Sequence, residues 1–134
     1  MTQEEKKKLL MKDICCRIPY EVKVQVFNHG IETVETLYQI DLDGYISTIE
    51  GDELKYFYKP YLFPLSSMTE EQKREYNYWK HEVPVCHYEY GDVVEEVELL
   101  DSPESFEYLI ENHFDYHGLI EKGLAIDATG KNIY

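Results

Sequence analysis

The clearest pattern in the chain has a period of two: Tyr20, Val22, Val24 and Val26 alternate with Glu21, Lys23, Gln25 and Phe27. This predicts a half-buried strand, ended by turn chemistry at Asn28, His29 and Gly30. A looser alternation over 34–42 predicts a second strand running into Asp43-Gly44, a dipeptide suited to a tight hairpin because both residues tolerate positive φ. Residues 45–49 would return beside it. Gly51-Asp52 marks another turn and 54–58 a fourth strand, after which Pro60 and Pro64 are expected to end regular pairing and carry the chain along an extended path. Four short strands joined by tight turns make an antiparallel meander over about 20–58.

Between and around these strands the period changes to that of a helix. Leu9, Leu10, Ile14 and Cys15 lie near helical spacing within 3–16, ahead of Pro19. Thr69 followed three residues later by Gln72 forms a capping box, with Glu70 and Glu71 placed to complement the dipole, and predicts a helix over 69–80. Tyr76 and Trp79, with Tyr78 nearby, form an aromatic stripe on it that is expected to dock on the sheet. A hairpin is predicted over 83–99 around Gly91-Asp92, with Val83, Val85, Val93, Val94 and Val97 apolar and Glu95, Glu96 and Glu98 facing solvent. Ser102 as N-cap and Pro103 in the first turn open C-terminal helices over about 102–122, with Phe106, Leu109, Ile110 and His113 along one face. From Thr129 onward the composition is that of a fraying turn.

The predicted fold class is α+β: a small antiparallel β-sheet or SH3-like β-barrel with packed helices. Length fits one domain over 1–134, since 134 residues can bury one ordinary core but not two. Thirteen tyrosines suit the boundary between core and surface.

Charge changes the picture more than composition does. The formal net charge is −14, and it is uneven: residues 1–80 carry 11 basic and 14 acidic side chains, residues 81–134 only 2 and 13. A surface of this sign repels phosphates, so direct binding of nucleic acid or of anionic membranes is not expected. No apolar run reaches the roughly 18 residues of a membrane span, and the lysine-rich start lacks a signal peptide's apolar stretch; the cytoplasm is the expected location. Three cysteines, two of them adjacent at Cys15 and Cys16, fit reduced thiols better than a disulfide framework.

Three phrases are distinctive: Cys16-Arg17-Ile18-Pro19-Tyr20, Lys59-Pro60-Tyr61-Leu62-Phe63-Pro64-Leu65-Ser66-Ser67-Met68-Thr69-Glu70-Glu71, and His113-Phe114-Asp115-Tyr116-His117-Gly118-Leu119-Ile120-Glu121-Lys122-Gly123-Leu124-Ala125. Together they resemble a group of small uncharacterised bacterial and phage-encoded proteins. The resemblance implies a gene of bacterial or phage origin and brings no activity, cofactor or catalytic residue with it.

Candidate chemistry is sparse. His113 and His117 are four apart, which on a helix would set two imidazoles on one face, able to hold a divalent metal in a small metal-dependent hydrolase. A third ligand is needed, and Glu111 and Glu121 are the nearest acids. Cys86 beside His87 has the residue types of nucleophile and base, but neighbours on a strand face opposite ways, leaving only a distant partner such as His29 or His81. Cys15, Cys16, Cys86 and His87 lack the CxxC spacing of a zinc site. No phosphate loop, serine elbow or metalloprotease motif is present, so no catalytic residue and no cofactor is assigned. The expected function is a non-enzymatic protein-binding module with a basic protein partner, its contacts drawn from Tyr61, Phe63, Glu95, Glu96 and Glu98. The alternative is an acidic imitation of nucleic acid that blocks a DNA- or RNA-handling protein, in which the carboxylates of 89–115 form a contiguous ridge.

Overall fold

Thr2 accepts the backbone N–H of Glu5 and the Glu5 carboxylate accepts that of Thr2, a capping box that starts helix α1 (Gln3–Arg17). The computed structural model describes residues 1–28, 30–41, 45–51, 53–55 and 58–134. The hairpin turn expected at Asp43-Gly44, and His29, Asp52, Tyr56 and Phe57 in neighbouring predicted turns and strands, lie outside the described residues. The chain forms two units, residues 1–67 with 110–134, and residues 68–109.

In the first unit a short 3-10 turn (Ile18–Tyr20) follows α1, with Pro19 supplying its φ and Glu21 taking a left-handed conformation at φ 56°. Tyr20 therefore belongs to this turn and not to the predicted strand. Strands β1 (Lys23–Asn28), β2 (Ile31–Ile40), β3 (Tyr45–Thr48) and β4 (Glu53–Lys55) form the predicted antiparallel meander. Then β5 (Lys59–Leu62) returns to pair antiparallel with β1, and β8 (Ile126–Asp127) pairs parallel with β5, giving the order β4-β3-β2-β1-β5-β8. The α+β class holds, with an open mixed sheet in place of the barrel.

Pro60 does not end pairing as expected. Strand β1 pairs with Lys59 and Pro60, while β8 pairs with Tyr61 and Leu62, so each neighbour takes a different half of β5 and Pro60 faces no β8 partner. The missing N–H is tolerated for that reason.

The core of this unit follows the period-two pattern. Val22, Val24 and Val26 are buried with Leu37, Ile46, Tyr58, Leu62 and Leu119, and Ile14 of α1 joins them. Burying such side chains is worth about 1.5–3 kcal/mol each. Cys15, expected on the apolar face of α1, is exposed; that face instead carries Asp13 and Arg17, both fully buried.

The second unit holds α2 (Glu70–Trp79), the strands β6 (His81–Glu89) and β7 (Asp92–Leu100), and α3 (Pro103–Glu111), whose last two residues belong to the first unit. The Thr69/Gln72 capping box forms as predicted. So does the Ser102 cap, whose hydroxyl accepts the Ser105 N–H.

Two expectations need correction. The C-terminal helices do not extend to 122: α3 stops at Glu111, and His113 takes a left-handed φ of 63°. The Asp115 carboxylate then accepts the N–H groups of Leu119 and Ile120 at 2.8 and 3.0 Å, fixing a run of turns where the sequence suggested helix. Secondly, the C-terminus does not fray. The Tyr134 hydroxyl donates to the Tyr61 carbonyl at 2.7 Å and accepts the Lys23 N–H at 2.9 Å, while its ring stacks on His113 at 3.7 Å. No helix among the described residues is long and apolar enough to cross a membrane.

Candidate functional site

The predicted histidine pair is broken up by the end of α3. His113 lies against the Tyr134 ring with its Nδ1 buried and without a hydrogen-bond partner. Burial, with the positive charges of Arg17 and Lys23, pushes its pKa down to about 4. His117 instead places Nδ1 2.7 Å from Asp13 Oδ2. Glu111 and Glu121 are exposed, and no group of three metal-ligating side chains forms among the described residues.

Around this point the first unit is knitted together. Arg17 grips Asp13 with Nε at 2.6 Å and Nη2 at 3.0 Å, and donates from Nη2 to the Phe114 carbonyl at 2.7 Å. The Phe63 N–H donates to the His113 carbonyl, and the Asp115 N–H to the Phe63 carbonyl, both at 2.8 Å. The three distinctive sequence phrases thus meet at Arg17, Phe63 and Phe114, and their contacts are those of a scaffold. Tyr61 and Phe63, expected at an interface, belong to it: Tyr61 is 3% exposed, and Phe63 packs against Phe114 and Tyr134.

The second unit presents the opposite case, with side chains that a core should hold left open. No residue of α2 is fully buried. Tyr76 stacks on Tyr108 of α3, beneath Lys80, and the Tyr108 hydroxyl donates to Glu75. Burial and Glu75 together raise the Tyr108 pKa to about 12. Tyr78 and Trp79 meet edge to face at 5.1 Å and are both exposed.

Beyond them β6 and β7 form a two-stranded ribbon of nine residues a side, with an unbroken register from His81↔Leu100 to Glu89↔Asp92. The turn is Tyr90-Gly91, one residue earlier than the sequence suggested, with φ of 51° and 85°. A tyrosine at positive φ is strained, whereas asparagine tolerates that conformation. Tyr90→Asn is expected to stabilise the second unit by about 1 kcal/mol in urea unfolding followed by amide exchange of the ribbon. Unchanged exchange rates would count against this geometry.

Opposed residues in an antiparallel pair point to the same side, so the register sorts the ribbon's side chains into two faces. One carries Pro84, Cys86, Tyr88, Val93, Val97 and Leu99, together with Glu82 and Glu95. All are exposed, Val97 at 64% and Val93 at 59%. The other carries Glu89, Asp92, Glu96 and Glu98 with the half-buried Val83, Val85, His87 and Val94. Glu95, Glu96 and Glu98 do face solvent as predicted, but Glu95 is on the opposite face from the other two. Cys86 and His87 also point apart, as the sequence required.

The ribbon has six acidic side chains and no lysine or arginine. Sequence reasoning located its acids and missed Tyr78, Trp79 and Tyr88 as exposed aromatics. No local signal marked Tyr78 and Trp79, since adjacent helical residues can share a buried face, as Leu109 and Ile110 do. No family model, no curated protein and no solved structure matches this chain.

Proposed function

We propose that the chain is a non-enzymatic protein-binding module of bacterial or phage origin, acting in the cytoplasm through the β6–β7 ribbon and the aromatic pair at its base. The observation carrying this reading is the exposed apolar face of Val93, Val97, Leu99 and Tyr88 on an element without lysine or arginine. Apolar side chains left in water at this density mark a surface that another molecule covers. Exposed Trp and Tyr beside it are the residue types that anchor protein interfaces. The carboxylates support imitation of nucleic acid less well, because they divide between the two faces with apolar residues among them.

The test is quantitative affinity capture from a bacterial lysate, comparing the natural chain with Val97→Lys and with Tyr38→Lys, an exposed position on β2. Val97→Lys is expected to lower recovery of specific proteins by about tenfold without shifting the unfolding midpoint, and Tyr38→Lys to leave recovery unchanged. Equal recovery by all three proteins would defeat the proposal.

A further inference from the structure

The ladder of the ribbon determines which of its two edges is open. A two-residue loop with both residues at positive φ closes on a pair that exchanges both its hydrogen bonds, here Glu89 and Asp92. Bonded and non-bonded pairs then alternate, which makes Pro84↔Val97 a non-bonded pair. That placement lets a proline sit in β6 without costing the ladder a bond, because its nitrogen faces outward. The outer edge of β6 consequently lacks a donor at its centre. The outer edge of β7 lacks none: the N–H and C=O groups of Val93, Glu95, Val97 and Leu99 point away from β6. Among the described residues, none of these four makes a backbone hydrogen bond outside the ribbon. An intact strand edge of this kind is a template for another strand.

The side chains along that edge specify what can be added. A second copy of β7 would set Glu95, Glu96 and Glu98 among their own kind, and like charges on adjacent strands repel. The same carboxylates favour a strand with cations in those places. Resting on the reading of the ribbon as a protein-binding surface, we infer that β7 accepts a basic strand from another protein by edge addition. That strand carries cations opposite Glu95, Glu96 and Glu98, and apolar side chains opposite Val93, Val97 and Leu99. Main-chain bonds supply attachment, while the order of cationic and apolar side chains supplies selectivity.

The probe is a synthetic peptide blocked at both ends, Leu-Leu-Lys-Val-Lys-Lys-Val-Val, which complements residues 93–100 in antiparallel order. Its control has the same composition with the lysines moved opposite Val93, Val97 and Leu99. Titration calorimetry with the full chain is expected to show the control binding roughly tenfold more weakly. Exchange of the Val93, Glu95, Val97 and Leu99 amides should slow when the complementary peptide is bound.

Val97→Pro removes one outward donor and leaves the ladder to β6 intact, so it is expected to weaken the peptide about tenfold. A second variant, Glu96→Lys with Glu98→Lys, keeps every backbone donor and is expected to prefer a peptide with glutamates in place of lysines. Equal affinity for the two lysine peptides, an unaltered preference in the double variant, or dimerisation of the natural chain through β7 would each overturn strand addition. If the peptide does not bind while Val97→Lys still loses its captured proteins, strand addition fails and the binding-module reading stands. If the peptide binds as predicted and capture is unaffected by Val97→Lys, the edge is real and the module reading fails.

Discussion

Replacing Arg17 with methionine is expected to cost about 3–5 kcal/mol, a large part of the roughly 5–15 kcal/mol that holds a domain of this size folded. Arg17 and Asp13 are both fully buried, and the guanidinium satisfies the carboxylate through two bonds while also donating to the Phe114 carbonyl. Methionine fills much of the volume but leaves Asp13 with His117 as its remaining side-chain partner in that cluster and strips a donor from Phe114. The dominant loss is the stranded carboxylate, so Asp13→Leu together with Arg17→Met should recover much of the stability lost by the single change. Arg17→Lys should fall between, since an ammonium keeps the charge without the two-pronged fit. Urea unfolding decides the matter: a single-variant loss below about 1 kcal/mol would show that the pair is not the tie between α1 and the C-terminal turns.

That pair also shows where sequence reading succeeds and where it stops. The meander was legible because period two survives wherever one face of a sheet is buried, and Val22, Val24 and Val26 kept it intact. Caps at Thr69 and Ser102 were legible because their chemistry is local. By contrast, β5 pairs with β1 and β8 from distant parts of the chain, and nothing near Pro60 announces that its two neighbours divide the strand. The end of α3 was hidden because Asp115 captures two N–H groups that a helix would have used, an outcome local propensity does not settle. Burial of Asp13 and Arg17 was not predicted, although their spacing of four, with Ile14 between them, allowed both to turn inward. At the ribbon, the acids were visible in the sequence and the exposed apolar face was not. Valines alternating with glutamates look the same whether the valines find a core or wait for a partner.

Acid is expected to destabilise the first unit through His113, with the loss developing between about pH 6.5 and pH 4. The folded state holds this imidazole neutral: its Nδ1 is buried without a partner, its ring lies flat on Tyr134, and the charges of Arg17 and Lys23 oppose a further proton. In the unfolded chain it takes up a proton near its ordinary pKa. Because the folded pKa is depressed, the unfolded state binds more protons throughout this window, and stability must fall as pH falls. The stabilisation is complete above about pH 6.5 and is lost as pH drops towards 4, amounting to at most about 3 kcal/mol. His113→Phe retains an aromatic ring against Tyr134 and removes the titration. The difference between the two proteins' unfolding free energies, measured across pH 4–7, should therefore change steeply below pH 6.5 and level off near pH 4. A flat difference would mean that the imidazole reaches water and takes its proton without cost. Stacking on Tyr134 would then be a surface contact, and Tyr134 would be held by its hydroxyl bonds and by Phe63.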